Sequence, residues 1–230
     1  MCLSRLSLSP SVCLLPVLQL LNSVAIYPEL RRVFDREYAD GLYGPLPFTL
    51  SYMVSELPLQ LIGVGLFCIV TYFIIGLRWN SYHFLVGLFA EFVVYNVGES
   101  QGLMIASLVD DIGVTVVLTS SIQAVQGALS GALSVDIPQW LQDLNYVSSI
   151  RYAVRLVLVD QFHDGLNLTC TPAQAYPDGT CFIPDGDAVL EDVLDLDYND
   201  FNSYLIGLAC CFVVYRLAYY VVLRIKVTYF

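Results

Sequence analysis

Four long apolar runs, roughly Leu46–Leu77, His83–Val109, Ile112–Val135 and Phe201–Leu223, limit what this chain can fold into. Each has the ~20 residues that a helix needs to cross about 30 Å of hydrocarbon. The runs are continuous, whereas the strands of a membrane barrel alternate, so helices are expected. A weaker run, Val12–Tyr27, is broken by Pro16, Gln19 and Asn22. Hydrophobic residues make up 57% of the chain and charged ones 13%, against about 25% charge in a soluble domain. The chain therefore reads as an all-α polytopic membrane protein.

Charge orients it. More than half of the 21 acidic residues lie between Asp136 and Asp200, where Arg151 and Arg155 are the only bases. The net charge of -11 thus belongs to one loop, and a nucleic-acid partner is excluded. Arg31, Arg32 and Arg36 precede the first strong run, while Arg216, Arg224 and Lys226 stand at the end of the last. The positive-inside tendency puts both groups on the cytoplasmic side. Three crossings then carry 136–200 outside, with Arg78 as the one outer exception. That loop holds the sequon Asn167-Leu168-Thr169 and two cysteines, Cys170 and Cys181. A glycan on Asn167 and a Cys170–Cys181 disulfide are expected in an oxidising compartment. The other cysteines read as small core residues.

Five segments follow. Residues 1–28 hold the weak run and are compatible with a partial span or a signal peptide. Residues 29–45 form a charged stretch closed by Gly41, Gly44 and Pro45, either a solvated loop or a docking element. Residues 46–135 form a three-helix membrane core. Its first run is longer than the hydrocarbon, and Glu56 and Pro58 fall near the cytoplasmic boundary, with a kink expected at the proline. Within the second run, Glu91, Asn96, Glu99 and Gln101 are polar groups at membrane depth, which face a bundle interior or a wet cavity. Asp110-Asp111 makes a tight turn, and Gly127, Ser130, Gly131 and Ala132 permit close helix packing. Residues 136–200 open with an amphipathic stretch over 137–162 carrying Trp140, Tyr146 and Tyr152, read as re-entrant or interfacial helices on the outer face. Residues 201–230 supply the last span and a cytoplasmic tail.

Catalytic chemistry has no positive sign. Lys226 is the single lysine and follows no glycine-rich turn, as a phosphate-binding loop requires. His83 and His163 are too far apart for a helical zinc motif, and no catalytic residue or metal site is assigned.

Several motifs occur in a specific order: Arg32-Val33-Phe34-Asp35-Arg36-Glu37, Gly41-Leu42-Tyr43, Ser55-Glu56-Leu57-Pro58 and Tyr72-Phe73-Ile74-Ile75-Gly76-Leu77. Gln101-Gly102-Leu103, Ser130-Gly131, Ile137-Pro138, Trp140-Leu141, Tyr146, Arg151-Tyr152 and Gly165-Leu166-Asn167 continue the series. From about Asn22 onward the chain resembles the transmembrane domain of G-subfamily ABC transporters, the White and pleiotropic drug resistance type built on an ABC-2 type domain. The resemblance implies five transmembrane helices, the second to sixth of a six-span domain, with outer re-entrant helices. It implies that segment 29–45 couples to an ATPase, with Arg31, Arg32, Arg36 and Glu37 pairing with its surface and Phe34 packing into it. The nucleotide-binding domain and first span of a half-transporter stand outside these residues, so no cofactor is expected here, and ATP and magnesium would sit on that other domain.

The implied function is export of lipids, sterols or other hydrophobic or amphipathic substrates. The implied partners are the bilayer, a nucleotide-binding domain and a second half-transporter in a homo- or heterodimer. A substrate path between two copies would be lined near 12–28 and 112–135. The plasma membrane is the expected location, with an internal membrane as the alternative. A truncated interaction protein that dimerises with full-length transporters and modulates them is the competing reading.

Overall fold

The computed structural model describes residues 26–75, 80–109, 111–130, 145–163, 190, 196 and 198–229. Every regular element among them is helical. The helices are α1 (26–39), α2 (Pro45–Ile75), α3 (Ser81–Leu108), α4 (Ile112–Leu129), α5 (Ser149–Phe162) and α6 (Phe201–Tyr229), with a 3-10 turn at Tyr198–Asp200 before α6. The segments 1–25, 131–144 and 164–189, and with them Asn167, Cys170 and Cys181, lie outside the described residues.

Local chemistry sets the boundaries. At the end of α1, Leu42 N–H bonds Glu37 C=O and Gly41 N–H bonds Tyr38 C=O, each at 3.0 Å, which is the Schellman pattern. It requires the left-handed conformation that Gly41 adopts at φ 73°. Pro45 then opens α2, where its missing N–H costs nothing. Asp111 caps α4 by accepting from Val114 N–H at 2.9 Å. Helix α2 continues through Pro58.

Among the described residues, three helical stretches are long and apolar enough to cross a membrane: Pro45–Ile74, Ile112–Leu129 and Tyr198–Thr228. Each hides only a narrow stripe. In α2 the stripe steps by four residues through Tyr52, Gln60, Val64, Cys68 and Tyr72, and Leu59, Ile62, Leu66 and Phe73 face outward. A four-residue step is the i±4 ridge by which one helix packs obliquely on another. In α4 the stripe is Thr115, Thr119, Gln123 and Gly127, small or polar throughout, while Val114, Val117, Leu118 and Val125 are exposed. Apolar residues face out and polar ones in, as hydrocarbon solvent demands.

Helix α3 differs from the other expected spans in how deeply it is enclosed. It is 28 residues long, about 42 Å at 1.5 Å per residue, and is not one of those three apolar stretches. Every residue from Val93 to Leu103 is buried, because α2, α4, α5 and α6 all pack against it. A helix enclosed by other helices can carry Glu91, Asn96, Glu99 and Gln101 at a depth where a lipid-facing helix cannot.

Helix α5 packs inward. All of α5 except Tyr152 and Arg155 is buried, which settles the interfacial-or-re-entrant alternative for residues 149–162 in favour of packing inside the bundle. Its two ends fix its depth. The His163 ring stacks on Tyr198 with centroids 3.7 Å apart, and Tyr215 Oη donates to Val147 C=O at 3.1 Å. From Phe201 to Tyr215 is about 21 Å of helix, so α5 reaches roughly half-way down α6. Close approach of the two depends on Gly207, where a Cβ would stand 2.8 Å from the Tyr152 ring.

Candidate functional site

Two connected polar regions lie along α3, one inside the bundle and one at its α1 end. The first centres on Arg216. Its Nη2 donates to Glu99 Oε2 at 2.6 Å and also to Asn96 Oδ1. Gln60 Nε2 donates to the same Glu99 oxygen at 3.0 Å, and Tyr52 Oη reaches the other at 3.3 Å. Glu99 and Arg216 are 3% and 8% exposed, so a full ion pair is removed from solvent and clamped between α2, α3 and α6. The Arg216 Nε and Nη1 atoms are buried without hydrogen-bond partners.

This corrects the placement of Arg216 among the cytoplasmic end charges. Helix α6 runs on to Tyr229, well past Leu223, and seven apolar or aromatic residues separate Arg216 from Arg224. That spacing was the signal available in the sequence: two helical turns of hydrocarbon-compatible residues beyond a base place it inside.

The other expected membrane-depth groups separate. Gln101 turns to α4, where its Oε1 accepts from Gln123 Nε2 at 2.8 Å. Glu91 is 6% exposed, and its Oε2 has no hydrogen-bond partner. Nearer the opposite end, His83 Nδ1 lies 3.0 Å from the buried Asp160 Oδ2, while Tyr72 Oη donates to His83 C=O at 2.6 Å. Tyr52, Gln60, Gln123 and Asp160 were not singled out from sequence, because a polar residue's partner on another helix has no local signature.

The second region joins α1 to the bundle. Tyr27, Arg31 and Phe34 occupy one face at helical spacing. Ser107 Oγ donates to Leu103 C=O at 2.8 Å, so the Tyr27 hydroxyl, 2.9 Å from that oxygen, is its donor, and Tyr219 Oη donates to Tyr27 at 3.3 Å. Arg31 Nη1 donates to the carbonyls of Ser107 at 2.7 Å and Ala106 at 3.2 Å. A guanidinium at the last carbonyls of α3 satisfies groups that a helix end leaves open, and it complements the helix dipole.

The five residues expected to couple therefore divide. Phe34 is fully buried within this chain, stacked on Phe48 at 4.3 Å and close to Tyr43. It forms the seat of α1 on α2, not a surface knob for a partner. Arg31 is likewise engaged inside. Glu37 accepts from the Tyr43 hydroxyl, a bond that raises the Tyr43 pKa above its ordinary value. Arg32 and Arg36 remain exposed, with Val33 between them.

Comparison with known proteins matches this arrangement to a family. The ABC-2 type transporter family matches residues 10–162, starting upstream of Asn22, where the motif resemblance begins. An uncharacterised ABC transporter ATP-binding protein/permease of Saccharomyces cerevisiae is 30% identical over 97% of this chain, which covers 17% of that protein. Protein white of Ceratitis capitata is 28% identical over 89% of the chain, 30% of its own length. ATP-binding cassette sub-family G member 5 of Homo sapiens is 29% identical over 67% of the chain, 24% of its own length. The chain thus spans less than a third of each of these relatives. Its apolar helices make it an integral membrane protein, and by the match over residues 10–162 it belongs to the ABC-2 type transporter family.

Proposed function

We propose that this chain is the membrane-crossing part of an ATP-driven exporter that moves lipids, sterols or other amphipathic compounds. It works as a dimer with a second half-transporter in the plasma membrane. ATP and magnesium belong to a nucleotide-binding domain outside these residues, which supplies the driving force by hydrolysis. Asn167 carries a glycan, and Cys170 pairs with Cys181 on the outer side.

The observation that carries this reading is the double attachment of α1. Its inner face holds the end of α3 through Arg31 and meets α6 through Tyr27 and Tyr219. Its outer face presents Arg32, Val33 and Arg36. A force on the exposed face reaches both helices at once. The Arg216–Glu99 pair then makes α3 and α6 move as one body, since sliding them apart would strand two charges in a medium that cannot solvate them. Such a body has a few discrete packings, which an external load can repopulate.

The test is transport in proteoliposomes containing the chain together with the ATP-binding half of a G-family relative. ATP-dependent movement of a fluorescent phospholipid is expected, with loss of at least about tenfold in the doubly reversed variant Arg32→Glu, Arg36→Glu and an unchanged melting temperature. If the chain only alters the rate of a full-length transporter and moves nothing with a bare ATPase, the exporter reading fails.

A further inference from the structure

The chain has two histidines, His83 and His163. His83 lies in the first turn of α3, at the far end of that helix from the carbonyls that Arg31 holds, and His163 caps the C-terminal end of α5. Each ties the last turn of α5 to a neighbour. His83 Nδ1 stands 3.0 Å from Asp160 Oδ2, and the His163 ring stacks on Tyr198 at the entry to α6. Tyr72 Oη brings α2 to the same place by donating to the His83 carbonyl at 2.6 Å.

The Asp160 side chain is 3% exposed and that of His83 19%, so a carboxylate sits inside the bundle while the base against it stays accessible. A buried carboxylate needs a counter-charge. The arginines on its own helix are turned to other groups, Arg151 over the Tyr146 ring and Arg155 over Tyr204. Gln161 Nε2 donates to Asp160 Oδ2 at 3.1 Å, which holds that oxygen without neutralising it. Among the described residues, the other titratable groups around His83 are phenols: Tyr82 beside it on α3, Tyr72 from α2, and Tyr198 within electrostatic reach of Tyr82. Phenols are ordinarily neutral near pH 7. The charge facing Asp160 is therefore set by His83, with His163 stacked behind Tyr198.

The contact at Nδ1 is close without being aligned as a hydrogen bond, so its attraction comes from charge. A protonated ring pairs with the carboxylate, whereas a neutral ring leaves Asp160 uncompensated or sets a nitrogen lone pair against it. Histidine is the side chain that ordinarily changes charge between pH 5 and 8. A base that gains a partner on closing adds stability below that range and loses it as the pH rises through it. We propose that His83 and Asp160 form a proton-operated latch between α3 and α5, closed when His83 is protonated and released when it is neutral. Tyr72 holds the same residue from α2, so release loosens the junction of α2, α3 and α5 at this end of the bundle.

The latch needs neither nucleotide nor a partner, so it is tested on the full chain in phosphatidylcholine nanodiscs. Hydrogen exchange over α5, corrected for the intrinsic effect of pH, is measured at about pH 5.5 and about pH 8, on either side of histidine's ordinary midpoint. Opening should be about two- to fivefold more frequent at the higher pH, the range that a partly exposed ion pair gives. His83→Gln should open at the faster rate under both conditions. His83→Lys, whose charge is fixed, should stay at the slower rate under both. His163→Gln should keep the ratio of the unaltered chain, which separates the two histidines, and Asp160→Asn should flatten it. The proposal is overturned by an unchanged ratio in His83→Gln, by a ratio lost in His163→Gln, or by more frequent opening in acid. Fast opening of His83→Lys under both conditions would overturn it as well.

Discussion

Arg216 and Glu99, 117 positions apart in sequence, form an ion pair across 2.6 Å between α6 and α3, with both side chains nearly inaccessible to solvent. Removing one partner leaves the other charge buried and uncompensated, which costs about 3–5 kcal/mol. Arg216→Met and Glu99→Met should each lower the unfolding temperature in detergent markedly. The double variant Arg216→Met, Glu99→Met should lose less than the sum of the two single losses. Additive losses would mean that the pair contributes no coupling.

The contact of Tyr152 with Gly207 makes a contrast within the same fold. Gly207→Ala places a methyl 2.8 Å from the Tyr152 ring, and overpacking of this kind costs about 1–3 kcal/mol. Gly65→Ala meets nothing within 4 Å and should stabilise α2 by about 0.5–1 kcal/mol. Thermal melts of the two variants should therefore shift in opposite directions.

Arg31→Ala removes the cation from the last carbonyls of α3. The stability loss should be modest, about 1 kcal/mol, as for other charges at helix termini. The functional loss should be larger. Hydrogen exchange over 26–39 is expected to speed up, and ATP-dependent transport should fall while substrate binding persists. An unchanged transport rate would separate α1 from the power stroke.

If the loop holding Asn167 lies outside as proposed, Asn167→Gln should remove one glycosidase-sensitive mass increment from protein made in a eukaryotic cell. Cys170→Ser and Cys181→Ser should each abolish the same non-reducing gel shift. Labelling of Asn167→Cys by an impermeant thiol reagent, only after the membrane is opened, would reverse the assigned topology.

At the turn into α2, Gly41 has φ 73°, where a Cβ is strained whatever the free space. Gly41→Ala should cost about 1 kcal/mol, read as a lower melting temperature, and Gly44→Ala, with no positive φ, should be near neutral.

Much of this architecture was legible in the residues themselves. The apolar runs starting at Leu46, Ile112 and Phe201 became α2, α4 and α6, since a lipid-facing helix must declare itself along its whole length. Gly41 and Pro45 announced the turn between α1 and α2 through backbone rules that act within a few residues. The motif order from Arg32 onward indicated the family. What sequence could not supply was partnership. Arg216 looked like a terminal anchor because its counter-charge sits on α3, and Phe34 looked like a docking knob because its seat on Phe48 forms only when α1 folds onto α2. Glu99 and Gln101 are two residues apart, yet one turns to Arg216 and the other to Gln123, a division made by helix rotation within the bundle. Hydrophobicity and helix caps are local and readable in order along the chain, whereas charge pairing and burial depend on which surfaces meet, and only the packed helices decide that.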